Sequence, residues 1–153
     1  MNKISDNIKL VRQVLLASGE IVAAVNDRVV PFAFAYSGGG MFPFIVMTIN
    51  RVTIPMSFSD GAFGDGNTST RDFEVELDVY GDDAEVVTDL ADETIEALTI
   101  GNREINVAGK PMTVQRCRLD EMVQQPPRDS EGEVQDSDFI FQWTGKFLLT
   151  TSA

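Results

Sequence analysis

The sequence predicts an α+β fold: an antiparallel or mixed sheet of about four to five strands, two main helices packed on one face, and long inter-strand loops. Three observations carry this reading. Between Arg71 and Tyr80 apolar and acidic residues alternate without a slip for eight positions, Asp72 to Val79, so Phe73, Val75, Leu77 and Val79 face a core while Asp72, Glu74, Glu76 and Asp78 face away from it. After Gly81-Asp82-Asp83 the period becomes helical, with Ala84, Val87, Leu90, Ala91, Thr94, Ile95 and Leu98 on one stripe. The other apolar segments are short, strand-like and separated by turn residues, which gives the order helix, short helix, strand, long loop, strand, helix, further strands, long loop, strand. Residues 1–153 read as a single domain.

Asp6 to Ser18 is the first predicted helix, with Leu10, Val11, Val14 and Leu15 inward, Ser5 or Asp6 as N-cap and Gly19 as its stop. Glu20 to Val25 is a second short helix, closed by Asn26-Asp27. Arg28-Val29-Val30-Pro31 opens an extended passage that holds Phe32, Phe34, Tyr36, Phe42 and Phe44, broken by Gly38-Gly39-Gly40. Phe44 to Ile54 is a strand apolar on both faces at its start, with Phe44 and Val46 on one and Ile45, Met47 and Ile49 on the other; such a strand is covered on both sides. Pro55 to Thr70 is a long connection that carries Met56, Phe58 and Phe63, and loops of this length in compact domains are usually functional or disordered. In the helix that follows, Asp82, Asp83 and Glu85 complement the helix dipole, and Ile100-Gly101-Asn102 ends it. Glu104 to Val107 is a short strand, Ala108-Gly109-Lys110-Pro111 a turn, and Met112 to Leu119 a strand with Arg116 and Arg118 on one face. Gln124 to Asp138, with Pro126-Pro127, reads as a second long loop. The last strand starts at Phe139, turns Phe139, Phe141, Trp143 and Phe147 to the core, and has a bulge at Gly145.

Composition excludes several functions. The formal net charge is −12, and from Asp72 to Asn102 there are eleven acids and no Lys or Arg. Such a surface does not attract nucleic acid or an anionic membrane. No apolar run is long enough for a transmembrane helix, and the polar start reads as a helix rather than a signal peptide. With no histidine, Ser-His and Cys-His pairs and His-based zinc sites are ruled out; the one cysteine, Cys117, builds neither a disulfide nor a thiolate site and fits a reducing compartment. The glycine triplet has no Lys-Ser/Thr after it and no strand-to-helix frame, so it is not a phosphate loop. Asp65, Asn67, Ser69 and Glu76 fall at calcium-loop spacing, but Thr70 replaces the required glycine and Glu76 sits in a strand. The sequence therefore gives no catalytic, cofactor or metal site. Asp82, Asp83 and Glu85 as a metal-dependent hydrolase, and the aromatics at 32–44 as a ligand module, are the alternatives from other classes.

The succession of local features resembles the tail terminator (tail-completion) family of long-tailed bacteriophages. The features are an N-terminal helix leading to Ala23-Ala24-Val25-Asn26-Asp27-Arg28-Val29-Val30-Pro31; Phe42-Pro43-Phe44-Ile45-Val46 at the start of a long strand; Phe73 to Tyr80 followed by a helix ending near Leu98; and a strand at 112–119, an acidic loop and a closing Phe-rich strand. The 55–70 loop is longer than that family's pattern. The resemblance implies a virion component made in the host bacterial cytoplasm: a hexameric ring that caps the head-proximal end of the tail tube, stops its growth and offers a surface to the head–tail connector, with no enzymatic activity. Another neck, head-closure or tube-like protein is the alternative within the class. On this reading Phe34, Tyr36, Ile45, Met56, Phe58 and Phe63 are candidate subunit or tube contacts, and Asp72, Glu74, Glu76 and Asp78 are a candidate acidic lumen face past which DNA moves without specific binding.

Overall fold

The computed structural model describes residues 2–31, 42–54, 70–129 and 139–153. The element order is α1 (Ile4–Leu16), α2 (Gly19–Val25), β1 (Val29–Pro31), β2 (Phe44–Thr53), β3 (Thr70–Gly81), α3 (Ala84–Leu98), β4 (Arg103–Val107), β5 (Lys110–Asp129) and β6 (Phe139–Ser152). The class is α+β, with one six-stranded sheet in the order β1-β2-β3-β6-β5-β4. That is more strands than the four to five expected. Pairing is antiparallel throughout except that short β1 runs parallel to β2, with Val29 beside Ile45.

The alternation in β3 holds to its end. Phe73, Val75, Leu77 and Val79 are buried, and the residues between them are half-buried. They meet Ile45 and Met47 of β2, Phe147 and Leu149 of β6, and Leu10, Leu15, Val87 and Leu90 from the helices in one cluster. Fully burying side chains of this size stabilises by about 1.5–3 kcal/mol each. Helices α1 and α3 lie on this face of the sheet, and α2 packs against both. Gly81, the last residue of β3, is required by the closeness of α3: a Cβ there would overlap Val87 Cγ2. Asp83 caps α3, its Oδ1 accepting from the Glu85 and Val86 amides at 3.0 and 3.2 Å. Trp143 Nε1 donates to Thr88 Oγ1 at 3.1 Å and ties α3 to β6.

Three expectations on boundaries are corrected. Helix α1 starts at Ile4, its N-cap position is Lys3, and no side chain caps it. Buried polar groups hold that end instead. Asn7 Nδ2 donates to Lys3 O at 2.7 Å and to Asn2 Oδ1 at 2.6 Å. Asn2 Nδ2 donates to Thr151 O at 2.9 Å, and Thr151 Oγ1 donates to Asn7 Oδ1 at 2.6 Å. Second, β5 does not stop at Leu119 but runs to Asp129, through Pro126-Pro127. Its register against β6 slips between Val114 and Arg116, between Leu119 and Glu121, and between Gln125 and Arg128. The last slip contains the two prolines, and a bulge is where a strand tolerates residues that cannot donate to the ladder. Third, Gly145 is not itself a bulge. The β3–β6 ladder passes it unbroken, pairing it with Leu77, and Met122 and Phe147 fill the space beside it.

The β4–β5 turn is where the sequence places one but shorter than the four residues expected, because Lys110 and Pro111 already belong to β5. Val107 pairs with Lys110, and Ala108 and Gly109 between them have φ of 52° and 82°. Two positive φ values define a type I′ turn, which favours Asn-Gly. Alanine in the left-handed region costs about 1–2 kcal/mol. Ala108→Asn is therefore expected to stabilise the domain by up to about 1 kcal/mol, read as a rise in the chemical-denaturation midpoint at unchanged slope.

Candidate interaction surface

The face of the sheet away from the helices is built from the other half of the alternation. Directly opposed residues share a face, so the register gives its rows. Thr53, Asp72, Thr150 and Arg116 form one row, followed by Arg51, Glu74, Leu148 and Arg118. Thr48, Glu76, Lys146 and Glu121 come next, then Val46, Asp78, Thr144 and Val123, and finally Phe44, Tyr80, Gln142 and Gln125. The four expected acids thus stand in one column on β3, on the face expected of them.

Each acid is engaged with a neighbour. Thr150 Oγ1 donates to Asp72 at 2.6 Å. Arg51 pairs with Glu74 at 3.3 Å, with 68% of the arginine side chain exposed, so the pair contributes at most about 1 kcal/mol. Asn50 donates to Glu76 at 3.4 Å. Asp78 accepts from Thr144 Oγ1 at 2.7 Å and from Gln142 Nε2 at 3.0 Å. The arginines expected to offset the column, Arg116 and Arg118, lie across β6 from it. They are exposed, and among the described residues no ion pair or side-chain hydrogen bond engages either.

Burial raises the Glu76 carboxyl above its ordinary value, and the charge of Asp78 adds to this, against the opposing Asn50 hydrogen bond and the Lys146 charge. A raised carboxyl pKa means that folding favours the protonated form. Its contribution is present below the ordinary glutamate pKa and lost as pH rises through the raised value. Glu76→Gln is therefore expected to raise the melting temperature at pH 7. The gain should shrink as pH falls toward about 4, where the wild-type carboxyl is itself protonated; thermal scans across that range check it.

Beside Glu76 and Asp78 lies an open cleft of about 530 Å³, walled by Tyr80, Gln125, Pro126, Gln142 and Thr144. Next to it Phe44 stacks on Tyr80, with ring centroids 5.0 Å apart, and on Phe42 at 5.6 Å. Phe44 and Val46 are 8% and 6% exposed although they point away from the helices, so the two-sided covering expected for this strand is present. Among the described residues no group of three or more His, Cys, Asp or Glu side chains could hold a metal ion. Asp83 is occupied in capping α3. Cys117 is buried, which pushes its thiol up to about 12.

The candidate contacts divide. Phe34, Tyr36, Met56, Phe58 and Phe63 lie outside the described residues. Ile45 is corrected: it is 0% exposed, held between Val29 and Val79 on the neighbouring strands, and no second molecule can reach it. The residue types on the two faces of β2 were read correctly, but both faces looked equally apolar, and only the position of the helices decides which is the core. Sequence reasoning gave β4 its short length but missed that β5 runs on to Asp129, far beyond the stretch that β4 covers.

Neither a family model nor a curated protein matches the sequence. Among solved structures, a chain described as "Virion of native gene transfer agent (GTA) particle" is similar, with a TM-score of 0.51 and 16% identity. The alignment covers 94% of this chain and 92% of that one. At that identity the likeness is one of fold, and it extends over most of the chain rather than over a shared supersecondary unit.

Proposed function

We propose that the chain is a structural protein of a phage-like virion, and specifically a tail terminator: a subunit of a hexameric ring that caps the head-proximal end of the tail tube and receives the head–tail connector. The observation that carries the reading is the end-to-end fold likeness to a chain of a gene transfer agent virion. The sequence resemblance to tail terminators narrows it. No catalytic role is proposed, and the acidic column on β3 is assigned to a surface that DNA passes without adhering. Light scattering coupled to size exclusion tests the ring: six copies are expected, and a monomer at micromolar concentration would remove this reading. A second expectation concerns DNA. With a net charge of −12, the protein should show no duplex binding at physiological salt. A micromolar, salt-sensitive complex in a fluorescence titration would contradict the assignment of the acidic face.

A further inference from the structure

Strand β5 is 20 residues long, but β4 covers only Lys110 to Val114 of it, and a lone bridge from Ile100 reaches Cys117. From Arg118 to Gln125 the side of β5 turned away from β6 has no partner strand among the described residues. At the other side of the sheet, β1 covers only Ile45 to Met47 of β2, which leaves Thr48 to Thr53 with an unpaired side by the same measure. An open strand edge is a template for another chain.

These two edges match. Three antiparallel steps separate β2 from β5, so the strands run in opposite directions. A rotation that carries one copy to the next without inverting it therefore sets β5 antiparallel to the next copy's β2. The free edges are offset along the sheet and overlap in part: the rows of Arg51 and Arg118 and of Thr48 and Glu121 are open at both ends, whereas Thr53 is in the row of Arg116 and Val46 in the row of Val123. Joining them staggers each sheet against the next, and stagger is what closure of a sheet requires. Charge agrees as well. Arg51 on β2 and Glu121 on β5 are both exposed on the face away from the helices; each pairs within its own sheet, Arg51 with Glu74 at 3.3 Å and Glu121 with Lys146 at 3.4 Å, and set directly across the joint they would extend these pairs into one network of alternating charge.

We infer that the Arg118–Gln125 edge of β5 pairs with the Thr48–Thr53 edge of β2 in a second copy, joining the sheets of adjacent subunits head to tail. The inference deepens the ring reading above and rests on it. Such a contact is heterologous, and rotation closes it into a ring.

The test is a pair of engineered cysteines. Within one chain positions 51 and 121 are three strand spacings apart, about 15 Å, beyond the reach of a disulfide, which needs Cα atoms within about 7 Å. The R51C/E121C protein, mildly oxidised, should give a ladder of covalent multimers running past the dimer, while R51C and E121C alone should stay monomeric on a non-reducing gel. Buried Cys117 stays silent in these reactions. A charge-reversal cycle supplies the second measurement. R51E and E121R should each weaken assembly at least tenfold, and R51E/E121R should restore it, with circular dichroism confirming the fold of each. Absence of the ladder overturns the inference; light scattering on the same sample then shows whether the ring reading stands without it. Dimers from E121C alone would also overturn it, because they mean two-fold pairing of β5 with itself.

Discussion

Ile45→Asp is expected to leave no folded domain. Ile45 is 0% exposed in the centre of the core cluster, and its strand neighbours Val29 and Val79 are equally apolar. The side chains of the cluster around it are all apolar and offer a new carboxylate no hydrogen bond. An unpaired buried charge belongs to the class of substitutions that cost more than about 4–5 kcal/mol. Domains of this size hold only about 5–15 kcal/mol in all. The expected result is loss of far-ultraviolet dichroism and aggregation, not a folded monomer. A soluble, folded Ile45→Asp protein would show that the face of β2 toward the helices is misplaced. R51E is the informative contrast: the same strand with the side chain on the other face, and an expected change in stability below about 1 kcal/mol.

Thr151→Val carries the second-largest expected effect. Its hydroxyl donates to Asn7 Oδ1 at 2.6 Å and accepts from Asn2 Nδ2 at 3.0 Å, and all three residues are at most 1% exposed. Valine has the same shape, so packing survives while two buried asparagines lose a partner. An unsatisfied buried polar group costs about 1–3 kcal/mol, and a loss of that size lowers the melting temperature by roughly 3–10 °C in a domain of this length. Thr150→Val, one residue away on the open face, removes only a part-buried bond to Asp72 and should lower it by less than about 3 °C. Equal shifts in the two variants would show that the asparagine network does not hold α1 to β6.

The same network explains why the start of α1 was misread. Sequence reasoning looks for a capping side chain, and Ser5 and Asp6 offered one. The helix is anchored instead by Asn2 and Asn7 reaching Thr151 at the far end of the chain, and no local pattern reveals a partner 144 residues away. The β3–α3 unit was legible almost throughout because both periods are clean and Asp83 is a strong local cap; only Ala84, placed on the inward stripe, is exposed, and Gly81, read as turn, ends β3. The continuation of β5 through Pro126-Pro127 was not, because prolines signal a loop unless a bulge absorbs them, and a bulge depends on the register with β6. The parallel pairing of β1 with β2 was equally hidden, since three residues carry no direction of pairing. On the candidate surface the acidic column was readable from alternation alone. Its neighbours across β2, β6 and β5, and the uncovered lengths of β5 and β2, exist only once strand order is known.

The proposed role is to end a tail tube. The measurement that tests it most directly is electron microscopy of tubes assembled in its presence and in its absence. The proposed role predicts tubes of uniform length with a six-fold ring at one end when the protein is present, and tubes that run past that length when it is absent. Identical length distributions in the two preparations, with no ring at either end, would contradict it.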